Sequence, residues 1–190
     1  MDIYNVVSEG DASEKAVGVE RHGGEFQPPN APEYGRYKTS VFLAGTIEMD
    51  KATRWQEGVV KSLEHLSVAV LNPRRDDWDS SWKQRASDPN FHAQVTWELD
   101  GLRDVDVVAL YFEAGTVSPI CLLELGLLAA SRPKSIVICC PEGYWRVGNV
   151  EMVLERFGVC QVQTLDDMVK EVEKRLVGLI EERSAEGATP

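Results

Sequence analysis

Short apolar runs alternate with amphipathic stretches along most of the chain. Ser40 to Ala44 is an apolar run closed by Gly45, and it predicts a buried strand. Thr53 to Leu66 carries Trp55, Val59, Leu63 and Leu66 at helical spacing. Val68 to Leu71 predicts a second strand, stopped by Asn72-Pro73, and a polar segment from Arg74 to Asn90 follows. Phe91 to Leu102 reads as a helix with Val95, Leu99 and Leu102 on one face. Val105 to Phe112 is the third strand, and Pro119 opens a helix that runs on through Ile120 to Ala130. Ile136 to Cys140 is a fourth strand, Val150 to Phe157 a short helix, Val159 to Val162 a fifth strand, and Leu165 to Glu182 an amphipathic terminal helix.

Strands that alternate with helices, each apolar enough to be covered on both faces, predict a parallel sheet with right-handed crossovers. The expectation is a single α/β domain over residues 39–183, a flavodoxin-like or Rossmann-like doubly wound five-stranded parallel sheet. Residues 1–38 lack sustained periodicity, are broken by Gly23-Gly24 and Pro28-Pro29, and read as an arm or extension; residues 184–190 read as a frayed tail.

Charge narrows the choice of partner. Lys plus Arg number 20 against 31 Asp plus Glu, a net charge of −11, which argues against wrapping a nucleic-acid polymer or docking on an anionic membrane. No apolar run is long enough to span a bilayer. Met1 to Gly10 has neither a basic nor an apolar leader region, so a cytoplasmic location is expected. Four cysteines without a Cys-x-x-Cys pair, and three scattered histidines, read as buried reduced thiols rather than a metal site.

Ligands of such a sheet bind outside the carboxyl ends of the strands, where strand order reverses. The loops to read are therefore Gly45-Thr46-Ile47-Glu48, Asn72 to Trp82, Glu113 to Pro119 and Pro141 to Asn149. Neither a Gly-x-Gly-x-x-Gly nor a P-loop pattern occurs. Thr116 and Ser118, with the N–H groups of the helix start, suit a phosphate or a sugar hydroxyl. Glu124 is the lone carboxylate of an apolar helix: either an acid stabilised by the helix dipole, or a site residue. Glu98 and Asp100 are either a solvated helix face or a second acid of the same centre. Arg74, Arg75, Asp77, Trp78 and Trp82 either pair among themselves in an exposed loop or grip a planar base.

Five strings in order resemble the nucleoside 2-deoxyribosyltransferase superfamily, which includes the 2-deoxynucleoside 5-phosphate N-hydrolases. They are Phe42-Leu43-Ala44-Gly45-Thr46-Ile47, Asn72 to Trp78, Trp97-Glu98-Leu99-Asp100, Ser118 with Leu123-Glu124-Leu125-Gly126, and Cys140-Pro141 to Asn149-Val150. The second and the last are similar to its plant and fungal deoxyribosyltransferase-like branch. The resemblance spans roughly Ser40 to Phe157.

It implies a flavodoxin-like fold, homodimers or larger homo-oligomers, a nucleoside or nucleotide substrate, and neither cofactor nor metal. The glutamate matching Glu124 would attack C1 of the deoxyribose, displace the base and hold the sugar as an ester. A second base or water would then collect the sugar. The acid matching Glu98 would hold base or sugar, or move a proton, with the two carboxyl groups on the order of 5 Å apart. Gly45, Thr46, Asp100, Thr116, Ser118, Arg74, Asp77, Trp78 and Asn149 are the expected substrate contacts.

Two positions depart from the prototypes. The transferases carry an aspartate six residues before the nucleophile, where this chain has Ser118, as the hydrolases do. The hydrolases carry a tyrosine where this chain has Phe42. A hydroxyl tolerates a phosphate dianion far better than a carboxylate does, which favours a phosphorylated substrate. The Phe42 departure keeps open a nucleotide-binding or sensing module without turnover, and the fold alone leaves open a scaffold.

Overall fold

The computed structural model describes residues 19–20, 22–47, 52–79 and 81–187. Residues 1–18 of the expected arm, Glu48 of the first loop and Ser80 lie outside the described residues.

Among the described residues six strands form one parallel sheet: β1 (Gly24–Phe26), β2 (Thr39–Gly45), β3 (Val68–Leu71), β4 (Val107–Tyr111), β5 (Ile136–Cys139) and β6 (Cys160–Val162). Their spatial order is β1-β3-β2-β4-β5-β6. The expectation of five strands is corrected to six, because Gly24–Phe26, within the segment read as an arm, pairs parallel with β3. Phe26 O also accepts the Asn72 N–H at 2.9 Å. Three residues reading Gly-Glu-Phe carry no alternation of their own, so edge pairing rather than local pattern makes this strand. The remaining five strands have the flavodoxin-like order, with the reversal between β2 and β4.

Side-chain alternation along β2 sorts the core into two layers. Val41 and Leu43 face α1 (Trp55–Leu63) and α5 (Leu165–Glu186), packing with Trp55, Val59, Met168 and Val172. Phe42 and Ala44 face the opposite way, toward α2 (Pro89–Asp104), α3 (Pro119–Ser131) and α4 (Val147–Phe157). All four cysteines are free thiols, and Cys121, Cys139 and Cys140 are buried. No helix of the described residues is long and apolar enough to cross a membrane.

Caps explain the helix starts. Asp88 accepts the Asn90 and Phe91 N–H groups and Pro89 takes the first helical position, so α2 begins two residues before the apolar pattern does. Thr164 accepts the Asp167 N–H at the start of α5. That helix runs to Glu186, past the expected start of the tail, and Arg183 anchors it through Asp106 at 2.6 Å.

The face of α2 is a second correction. Leu102 is buried as expected and Val95 partly so, but Leu99 is 49% exposed. The residues turned inward are Gln94, Glu98, Gly101 and Leu102. An apolar stripe misreads this helix because its inner positions hold polar side chains and a glycine. A Cβ on Gly101 would stand 2.7 Å from the Phe42 ring, so the glycine lets α2 lie directly on β2.

Candidate active site

The carboxyl ends of β2 and β4 pair side by side as far as Gly45 and Tyr111 at the reversal of strand order, and three hydroxyls meet just beyond them. Thr46 Oγ1 lies 2.6 Å from Ser118 Oγ, and Ser118 Oγ lies 2.8 Å from Thr116 Oγ1. Thr46 follows Gly45, whose φ of 146° and tight surroundings exclude a side chain: a Cβ would stand 2.6 Å from the Tyr111 carbonyl oxygen. Thr46 is further held by the Glu113 N–H, which donates to its hydroxyl at 3.1 Å, and its carbonyl accepts the Trp55 indole N–H at 3.1 Å. Thr116 donates to the Glu113 carbonyl at 2.7 Å.

Ser118 is the N-cap of α3 in the left-handed region, φ 44° and ψ 54°, which costs a non-glycine residue about 1 kcal/mol. Its hydroxyl caps nothing on the helix and turns instead to Thr46 and Thr116. The loop that enforces this turn is braced from the β5–α4 side. Tyr144 Oη and Trp145 Nε1 both donate to the Val117 carbonyl, at 2.9 and 3.1 Å, and the Tyr144 ring packs on Phe112. The sequence pointed to the loop through Pro119 but gave no sign of this brace.

The two candidate acids approach from α2 and α3. Cys121 and Glu124 stand one turn apart on the buried face of α3, with Glu124 9% exposed. The Cys121 thiol contacts the Ser118 and Thr46 hydroxyls, and burial followed by the neighbouring Glu124 charge raises its pKa. Burial, and next the Glu98 charge, push the Glu124 carboxyl up to about 8. Glu98 is raised by burial as well, opposed by a 2.8 Å hydrogen bond from Gln94 Nε2 to its Oε1. The Glu98 charge thus bears on Glu124, which follows the Ser118 N-cap by six residues, under two turns of α3, with Cys121 between them.

Most of the other expected contacts have protein partners of their own. Asp100 is on the outer face of α2, paired with Arg103 at 3.0 Å. Arg74 is buried, and its guanidinium donates to the Thr53 carbonyl at 2.8 Å and reaches Gln56 Oε1 at 3.5 Å. Asp77 accepts two hydrogen bonds from Arg75, at 2.5 and 2.6 Å, which holds its pKa below the usual carboxylate range. Trp78 packs on Trp82 with ring centroids 5.0 Å apart, and Arg75 covers the Trp82 ring. Asn149 is exposed in the first turn of α4. Gln94 was not anticipated, although its spacing four residues before Glu98 places the two on one helix face.

Residues 38–144 match the family model described as nucleoside 2-deoxyribosyltransferase like, a stretch that contains β2 to β5 and every residue of the cluster. The chain belongs to this family. A crystal structure of a conserved protein from Enterococcus faecalis V583 superimposes with a TM-score of 0.51 at 14% identity, covering 72% of this chain and 98% of that one. At that identity the likeness supports the Rossmann-like α/β fold. No curated protein sequence matches the chain significantly.

The raised Glu124 carboxyl has a consequence for stability. Below the ordinary carboxylate range the folded and unfolded chains both hold the proton. Between that range and pH 8 only the unfolded chain ionises, so stability is lost as pH rises. Urea unfolding is expected to show a decline on the order of a few kcal/mol between about pH 5 and pH 8. Glu124→Gln should flatten that decline, and an unchanged slope in the variant would remove Glu124 as its source.

Proposed function

We propose that the chain cleaves the N-glycosidic bond of a deoxynucleoside or its 5-monophosphate through a covalent glycosyl-glutamate on Glu124. The observation that supports this reading is a buried Glu124, subject to the Glu98 charge, on the helix that opens at the Thr46–Thr116–Ser118 hydroxyls of the strand-order reversal. Family membership supplies the glycosyl-transfer class.

Glu124, raised to about 8, holds its proton at neutral pH, and Glu98 is the partner proposed to receive it. Transfer of that proton to Glu98 frees the Glu124 carboxylate to attack C1. The C1–N bond breaks with its electron pair on the base, which takes the proton from Glu98. Water or a second base then attacks C1 from the opposite face and gives its proton to Glu98, Glu124 leaves as a carboxylate, and the proton returns to Glu124. Ser118, Thr116 and the start of α3 hold the 5-phosphate or the sugar.

A panel of nucleosides and 5-monophosphates, incubated with and without an acceptor base, tests the reading by chromatography of free and exchanged base. Release in plain buffer identifies a hydrolase, and exchange only with acceptor identifies a transferase. Neither reaction, with nucleotide-induced melting shifts intact, would replace this reading by the binding module.

A homo-oligomer is part of the proposal. On α3 the apolar residues Ile120, Leu123 and Leu127 are exposed at helical spacing, Leu123 at 60%, on the helix that carries Glu124. Leu123→Glu is expected to shift the protein to monomers in light scattering coupled to gel filtration. A wild-type monomer, or an unmoved mass in the variant, would remove this face as the contact.

A further inference from the structure

Glu98 is held by a side chain with both of its donors committed. Gln94, 4% exposed on the inner face of α2, donates from Nε2 to Glu98 Oε1 at 2.8 Å and to the Pro73 carbonyl at 3.2 Å. Its Oε1 accepts from Arg75 Nη1 at 3.5 Å, the far reach of a hydrogen bond. Rotating the amide by half a turn would set its oxygen against a carbonyl and a carboxylate, and its NH2 against a guanidinium. One orientation is therefore allowed, and it points a donor at Glu98. Arg75 is fixed in turn by its bidentate pair with Asp77 and by the Trp82 ring beneath it.

We propose that Gln94 is a positioning residue for Glu98: it pins Oε1, leaves Oε2 for the substrate side, and ties the carboxylate to the Arg75–Asp77–Trp82 loop. The proposal rests on the reading of Glu98 as the partner acid, but the hydrogen bond can be tested without turnover. A donor at Oε1 favours the charged form of Glu98, so the shared proton rests on Glu124. The groups that bear on this balance are Glu124 from α3, with Cys121 behind it, and the Arg75–Asp77 pair beyond the amide.

The experiment is a carbon-13 NMR titration of protein labelled at the glutamate carboxyl carbons, with Glu98→Gln and Glu124→Gln used to assign the two signals. In Gln94→Met the Glu98 carboxyl should titrate about one pH unit higher than in the wild type, and Glu124 lower. Arg75→Met, a change on the loop that leaves the core intact, should move Glu98 in the same direction by less. Where base release is measurable, the acid limb of its pH profile should move with these titrations, while KM changes little. Unmoved carboxyl titrations in folded Gln94→Met and Arg75→Met would overturn the proposal. Shifted titrations in a protein that releases no base would uphold the role of Gln94 and overturn the catalytic reading alone.

Discussion

Glu124→Gln is expected to lower base release by at least ~10³-fold while the substrate still binds, because the amide keeps the shape of the side chain and loses the nucleophile. The effect should be the largest of any single substitution in the protein. A residue that only fills the core beside Leu125 and Leu128 would instead show itself in stability. Glu124→Gln removes a carboxyl whose ionisation opposes folding, so the variant should be at least as stable as the wild type at pH 8. Lost turnover without lost stability is thus the signature of a catalytic group. The pH dependence adds a second reading: the proposed cycle needs the proton that Glu124 passes to Glu98, and the carboxyl lies near 8, so kcat/KM of the wild type should fall as pH rises past that value. Single-turnover release measured across pH 5.5 to 9 checks both. Release by the variant within tenfold of the wild type would remove Glu124 as the nucleophile.

Much of this site could be read from the sequence because its positions follow from topology. A strand ending in Gly45-Thr46 and a helix opened by Pro119 fall on either side of the β2–β4 reversal, so topology alone brings Thr46, Ser118 and the Glu124 helix to that edge. Glu98 is open to two readings from the sequence, a solvated face or a second acid, since its helix buries Gln94, Glu98 and Gly101, where an apolar stripe would be sought. For the 74–82 loop the sequence left two readings, and the Asp77–Arg75 and Trp78–Trp82 contacts follow the self-pairing one. Asp100 pairs with Arg103 at i,i+3 on α2, a spacing the sequence does encode. The bond of Arg74 to the Thr53 carbonyl depends on loop geometry that residue type does not encode. The edge strand β1 escaped for the opposite reason, having almost no pattern to read.

The substitution with the next largest expected effect tests what the site grips. Ser118→Asp should cut kcat/KM for a 5-monophosphate at least ~100-fold, about 3 kcal/mol, and cost the unphosphorylated nucleoside much less. Ser118 is 4% exposed and its hydroxyl lies 2.6 Å from Thr46 Oγ1, so a carboxylate there is poorly solvated and stands at the start of the helix that carries Glu124. A phosphate dianion brought to the same place meets a like charge in poorly screened surroundings. A neutral sugar hydroxyl meets an acceptor. Ser118→Ala separates the two causes, since it removes the hydroxyl without adding charge and should cost only about one hydrogen bond, roughly tenfold. Equal losses for nucleoside and monophosphate in Ser118→Asp would show that residue 118 shapes the loop without touching the phosphate. A loss confined to the monophosphate would assign the hydroxyl cluster as its seat, and would explain how an acidic chain can hold an anion with hydroxyls and the N–H groups at the start of α3.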